Sequence, residues 1–151
     1  MPTVSVSQAI AAPPDKVWAL LSDLPRMGEW SPENTGGEWA SGATGPALGA
    51  RFKGTNVNGK RRWNTKVEVT TCEPGKAFAF DVSAMGLSIA RWSYEIEPTE
   101  SGCTVTESWT DTRGGLAKAL GGPVSGVADR ASHNRAGMEA TLTGLAAAAE
   151  A

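Results

Sequence analysis

Histidine and cysteine are nearly missing: the 151 residues include one histidine, His133, and two cysteines, Cys72 and Cys103, too far apart for a CxxC pair. A site of imidazole and thiolate ligands needs more than this, and two isolated thiols read as reduced side chains rather than a disulfide frame. No metal and no cofactor is expected. An excess of one charge is also lacking. Fourteen Lys and Arg stand against sixteen Asp and Glu, for a net charge of -2, which removes the basic footprint of a nucleic-acid binder. No apolar run is long enough to span a bilayer, and "MPTVSVSQAI" lacks the basic region and long apolar core of a secretory signal. The chain therefore reads as cytoplasmic, with no stable membrane insertion. Tyrosine and phenylalanine are scarce too, one and three, against six tryptophans. Indole combines a large apolar surface with one donor at its edge, which suits a cavity wall.

What is present reads as one domain over residues 1–151, a length that can bury a single core without covalent staples. "TVSVSQAI" alternates as a strand, with Val4, Val6 and Ile10 on one phase. In "APPDKVWALLSD" the prolines can open a helix, and Val17, Leu20, Leu21 and Leu24 mark its apolar face. "PRMGEW" reads as a second short helix, closed by Pro32, Gly36 and Gly37. Strands are expected near Glu38–Ala40, Ala50–Val57, Lys60–Cys72, Ala77–Ala84, Leu87–Glu97 and Cys103–Thr110, an antiparallel meander. Asn58-Gly59 matches a type I′ turn, which would set Val57 opposite Lys60 and Gly54 opposite Trp63. The Gly-rich stretch from Gly114 to Gly126 lacks a phosphate-loop signature and reads as a mobile cover. In "ADRASHNRAGMEATLTGLAAAAEA", Ala131, Asn134, Met138, Leu142 and Leu145 recur at helical spacing.

The segments "IAAPPDKVWALLSDLPRMGEWSPE", "GARFKGTNVNGKRRW", "VEVTTCEPGKAFAFDV" and "RWSYEIEPTESGCTVTESW" resemble the START-type SRPBCC superfamily, especially its polyketide cyclase/dehydrase and lipid-transport branch. The resemblance covers nearly the whole chain. It implies an α+β helix-grip fold, in which a curved antiparallel sheet and a long carboxy-terminal helix enclose a cavity for a hydrophobic ligand.

Strand alternation supplies the wall independently of the resemblance. The inward phases place Trp63, Phe78, Phe80, Trp92 and Trp109 beside the polar Asn56, Tyr94 and Glu107, with Asn134 and Met138 facing them from the last helix. A few polar groups in an apolar lining are what an oriented ligand requires. Glu107 is the sharpest of these, because "CTVTESWTD" puts a carboxylate on the phase of Cys103, Val105 and Trp109. It must be paired, neutral, wetted by a cavity or displaced by a bulge. A cavity position explains it best and makes Glu107 the one catalytic candidate. The charged strand residues Lys53, Lys66, Glu68, Asp81, Arg91 and Glu95 fall on the outer phase, which supplies no second acid or base. His133 with Asp129 and Ser125 reads as a solvated helix face rather than a triad, and "GKRRW" as a solvated hairpin edge. The expected partner is a small hydrophobic molecule, held without a chemical step. A cyclase/dehydratase or aromatase-type enzyme using Glu107 is the alternative, and an interaction protein with a filled core is the third reading. Ligand identity and oligomeric state stay open.

Overall fold

The computed structural model describes residues 2–151. Seven strands form one antiparallel sheet in the order β1-β7-β6-β5-β4-β3-β2, with β1 at Val4–Ile10, β2 at Asn34–Ala40, β3 at Arg51–Asn58, β4 at Arg61–Glu73, β5 at Ala77–Ala84, β6 at Leu87–Thr99 and β7 at Gly102–Asp111. From β2 to β7 each strand pairs with the next, and β1 crosses over to pair with β7. Helix α1, Pro14–Leu21, and a 3-10 helix, Leu24–Glu29, bridge β1 and β2; α2, Gly115–Ser125, and α3, Arg130–Glu150, follow β7. This is the helix-grip arrangement. Ladder shifts between Val69 and Thr71 and between Val82 and Ser83 add the local bends that curve a sheet.

Period-two alternation fixes which side is buried. Phe52, Val67, Val69, Phe78, Phe80, Val82, Tyr94, Ile96, Val105 and Trp109 are all buried on one face, and Met138, Leu142, Leu145 and Ala146 of α3 are buried with them. Removing such surface from water, at about 25 cal/mol per Å², is the main force closing the helix on the sheet. The outer strands β1 and β2 are covered by α3 and the 3-10 helix respectively, so neither sheet edge offers a long open ladder.

Several expectations need correction. The β3–β4 hairpin pairs Asn58 with Arg61 and Asn56 with Trp63, so Gly54 faces Thr65 rather than Trp63. The turn residues are Gly59-Lys60, and Gly59 (φ 62) has a positive φ while Lys60 does not. That is the glycine-first pattern of a two-residue hairpin, whereas a type I′ turn needs two left-handed residues. The slip is one whole pair, so every side chain keeps its predicted face. Gly36 and Gly37 belong to β2 and do not close a helix, because the strand starts at Asn34 and takes a bulge between Asn34 and Gly36. The second helix is a 3-10 helix. The segment from Gly114 to Gly126 is mostly helical despite its glycines, and ends at Gly126 in the left-handed conformation, a common helix stop.

Candidate functional site

Glu107 lies in an unbroken part of the β6–β7 ladder, opposite Tyr94, with Val6 of β1 on its other side. No bulge turns it outward, and it is 2% exposed. The Tyr94 hydroxyl donates to its Oε2 at 2.9 Å, while Oε1 has no hydrogen-bond partner among the described residues. Burial disfavours the carboxylate and pushes its pKa up to about 8, against the smaller downward pull of the Tyr94 hydrogen bond. Burial, followed by the charge and hydrogen bond of Glu107, moves the Tyr94 phenol well above its ordinary value. Glu107 is therefore both paired and largely protonated at neutral pH, with one oxygen left over.

Glu107 lines a cavity. An inner lobe of about 100 Å³ is lined by Glu107, Tyr94, Phe80, Trp92, Met138 and Thr141 together with Glu33 and His133. An outer lobe of about 140 Å³ runs from Trp63, Trp92 and Trp109 to Leu120 and Val124 of α2, with Arg113 and Arg130 in its lining. Glu33, Asn34, Asn56, Phe80, Trp92 and Asn134 border both lobes, so the two adjoin. For scale, a dry apolar cavity of about 150 Å³ holds one benzene-sized group. Trp92 and Trp109 stand with ring centroids 6.4 Å apart and planes 37° from parallel, forming an aromatic wall.

Of the residues expected at the site, the structure brings Asn56, Trp63, Phe80, Trp92, Tyr94, Glu107, Trp109, Asn134 and Met138 to one lobe or the other. Phe78 borders neither. It packs edge-on against Trp18 of α1, centroids 6.1 Å apart, and is core. Asn56 donates to Thr65 Oγ1 at 3.3 Å, and Asn134 accepts from Arg130 at 3.3 Å, so each already has a protein partner.

The polar groups unanticipated from the sequence come from outside the strand interiors. Glu33, in the link before β2, accepts from Arg130 Nη1 at 2.7 Å and lies 3.0 Å from His133 Nε2. Ninety-seven residues separate Glu33 from Arg130, and no local motif joins them. His133 is thus tied to Glu33 at the lobe, while Asp129 caps α3 through Ser132 and Ser125 bonds to Gly121; no triad forms. The "GKRRW" hairpin is not merely solvated. Asn58 donates to the Ser125 carbonyl at 2.8 Å and Arg61 to the Pro123 carbonyl at 3.2 Å, which satisfies carbonyls at the end of α2 and holds that helix over the outer lobe. Among the described residues no three His, Cys, Asp or Glu side chains gather so as to hold a metal ion, and no helix is long and apolar enough to cross a membrane.

A family model described as polyketide cyclase / dehydrase and lipid transport matches residues 1–150. The solution structure of Cgl2372, a Polyketide_cyc-like protein from Corynebacterium glutamicum, is similar at 35% identity over 94% of this chain and 87% of that one, with a TM-score of 0.63. Protein CV1439 from Chromobacterium violaceum shares the fold over 100% of this chain and 99% of its own, at 13% identity and a TM-score of 0.73. The di-domain ARO/CYC StfQ of the steffimycin biosynthetic pathway has the same fold at 17% identity and a TM-score of 0.74, covering 97% of this chain and 50% of that one. No protein of the curated set matches.

Proposed function

We propose a function from one premise: the chain belongs to the polyketide cyclase/dehydrase and lipid transport family. In this reading it binds a small hydrophobic molecule across the two lobes between the sheet and α3. The observation that carries it is Glu107, a buried carboxyl in the lining of the inner lobe with one oxygen unpartnered among the described residues. A buried polar atom without a partner costs about 1–3 kcal/mol, and a ligand carbonyl or hydroxyl meeting Oε1 would recover part of that. With its pKa near 8, the carboxyl is mostly neutral at pH 7 and can donate its proton in such a hydrogen bond. The tryptophan wall supplies apolar contact, and the Glu107–Tyr94 pair fixes orientation.

Native mass spectrometry of the purified protein, followed by organic extraction, tests this reading. A retained or added hydrophobic molecule should bind one per chain, and Trp63→Ala should weaken it by about tenfold, the loss expected from a large aromatic contact. Failure of every aromatic and aliphatic probe to bind would contradict it.

A second reading, a cyclase or dehydratase, is favoured by one arrangement. His133 and Glu33 border the same inner lobe as Glu107, so in this reading α3 and the link before β2 provide the second acid-base centre missing from the strands. In a dehydration, Glu107 would protonate a departing hydroxyl while His133 takes the proton from the adjacent carbon, a division of labour that two unlike environments permit. Glu107→Gln separates the readings: binding persists in both, and turnover of a β-hydroxyketone probe is lost only in the second.

A further inference from the structure

The outer lobe carries a feature that enclosure of an apolar molecule does not need. Arg113 leaves β7 and turns back so that its Nε and Nη2 hold Asp111 Oδ1 and Oδ2 at 2.9 and 2.8 Å. The pair is largely buried, with side-chain exposures of 16% and 17%. A guanidinium has five N–H groups arranged in forks. Asp111 fills one fork, leaving the Nη1 edge without a side-chain partner among the described residues, and Arg113 lines the outer lobe beside Gly121 of α2. There α2 passes with a glycine: a Cβ placed on Gly121 would come 3.8 Å from Arg113 Nη1, so the helix crosses that edge without a side chain to cover it.

Charge at this mouth is unbalanced. Arg113 and Arg130 line the lobe against one carboxylate, Glu33. Lys118 of α2 is close enough for its charge to help hold Asp111 below the usual carboxylate range, after the larger effect of Arg113. Three cations, Arg113, Arg130 and Lys118, thus stand in or beside the lobe against two carboxylates, Asp111 and Glu33, leaving one positive charge at the rim. A partly desolvated guanidinium with a free edge binds an oxyanion strongly.

We propose that the ligand is a hydrophobic monocarboxylate, its ring system against Trp63, Trp92 and Trp109 and its carboxylate on the free edge of Arg113 under α2. This rests on the enclosure reading above and adds the ligand's charge to it. One surplus positive charge matches a monoanion and leaves a dianionic phosphate uncompensated.

The test is calorimetric titration of the full chain at pH 7 with two probes of the same ring size, 2-naphthoate and 2-naphthalenemethanol. The carboxylate should bind about tenfold or more tightly than the alcohol, the scale of one charge-assisted contact. Arg113→Gln should abolish that preference, read as the ratio of the two affinities in the variant falling to about one. Because the single change strands Asp111, the double variant Asp111→Asn/Arg113→Gln removes both partners together and should behave alike, with folding checked by circular dichroism. Equal binding of the two probes by the wild type, or a carboxylate preference that survives in the double variant, overturns the proposal while leaving enclosure intact. Binding of neither probe overturns both.

Discussion

Glu107 concentrates the physics of the site in one side chain. Its carboxyl keeps a proton in the folded chain up to about pH 8, whereas the unfolded chain releases it near 4.5. Between those values the native state binds more protons than the unfolded state, so this group's contribution to stability is greatest below pH 4.5, declines as pH rises to about 8 and is level above it. Glu107→Gln should remove the slope. Across urea denaturation curves from pH 4 to 9, the stability of the variant relative to wild type should rise in that window by an amount on the order of a few kcal/mol. A difference independent of pH would place the titration elsewhere. Tyr94→Phe should act in the opposite sense on the carboxylate, because it removes the donor to Oε2 found among the described residues: the cost should be about 1–3 kcal/mol at pH 9 and smaller at pH 5, where the neutral acid needs that donor less. That Glu107 is inward was legible from alternation in "CTVTESWTD". Its phenol partner was not, because Tyr94 reaches it through strand register, and Glu33 and Arg130 were invisible because a link and a helix start meet only in the folded chain.

Among the elements, the strands were legible in phase and the hairpin was not legible in register. Period two decides faces, and a slip of one pair leaves them unchanged, so Asn56 and Trp63 keep the inward face while the partner of Trp63 changes from Gly54 to Asn56. The consequence for Gly54 is specific. A Cβ there would lie 2.7 Å from Thr65 Oγ1, which itself accepts from Asn56. Gly54→Val should therefore destabilise the chain by about 1–3 kcal/mol through overpacking, read as a lower urea midpoint. An unchanged midpoint would mean that β3 and β4 sit further apart than described. Helix α2 escaped the sequence because Gly121, Gly122 and Pro123 argue against a helix, and tertiary contact overrides weak propensity. Its last carbonyls are held by Asn58 and Arg61. Asn58→Ala should raise hydrogen-exchange rates across α2 severalfold while leaving α3 unaffected; equal protection in variant and wild type would show that those contacts do not hold it down.

At the scale of the whole molecule, a sheet that buries one face against α3 needs an apolar lining whether or not it holds a ligand. What distinguishes this interior is that paired polar groups, Tyr94–Glu107 and Glu33–Arg130, border two adjoining lobes, with Glu107 Oε1 left without a partner among the described residues. The helix-grip architecture could be read from element order, since an amino-terminal strand, two short helices, a meander and a long helix leave few ways to cover one sheet. The charged half of the site could not, because Glu33, Arg113, Arg130 and His133 lie in links and helix starts where no periodicity marks direction. Enclosure of a hydrophobic molecule around Glu107 is decided by a carbon-detected NMR titration of the Glu107 side-chain carboxyl, without and with saturating 2-naphthalenemethanol. A midpoint near 8 in the free protein, moving upward when the neutral ligand displaces water from the lobe, is the expected result. A midpoint near 4.5 that the ligand does not move would contradict it.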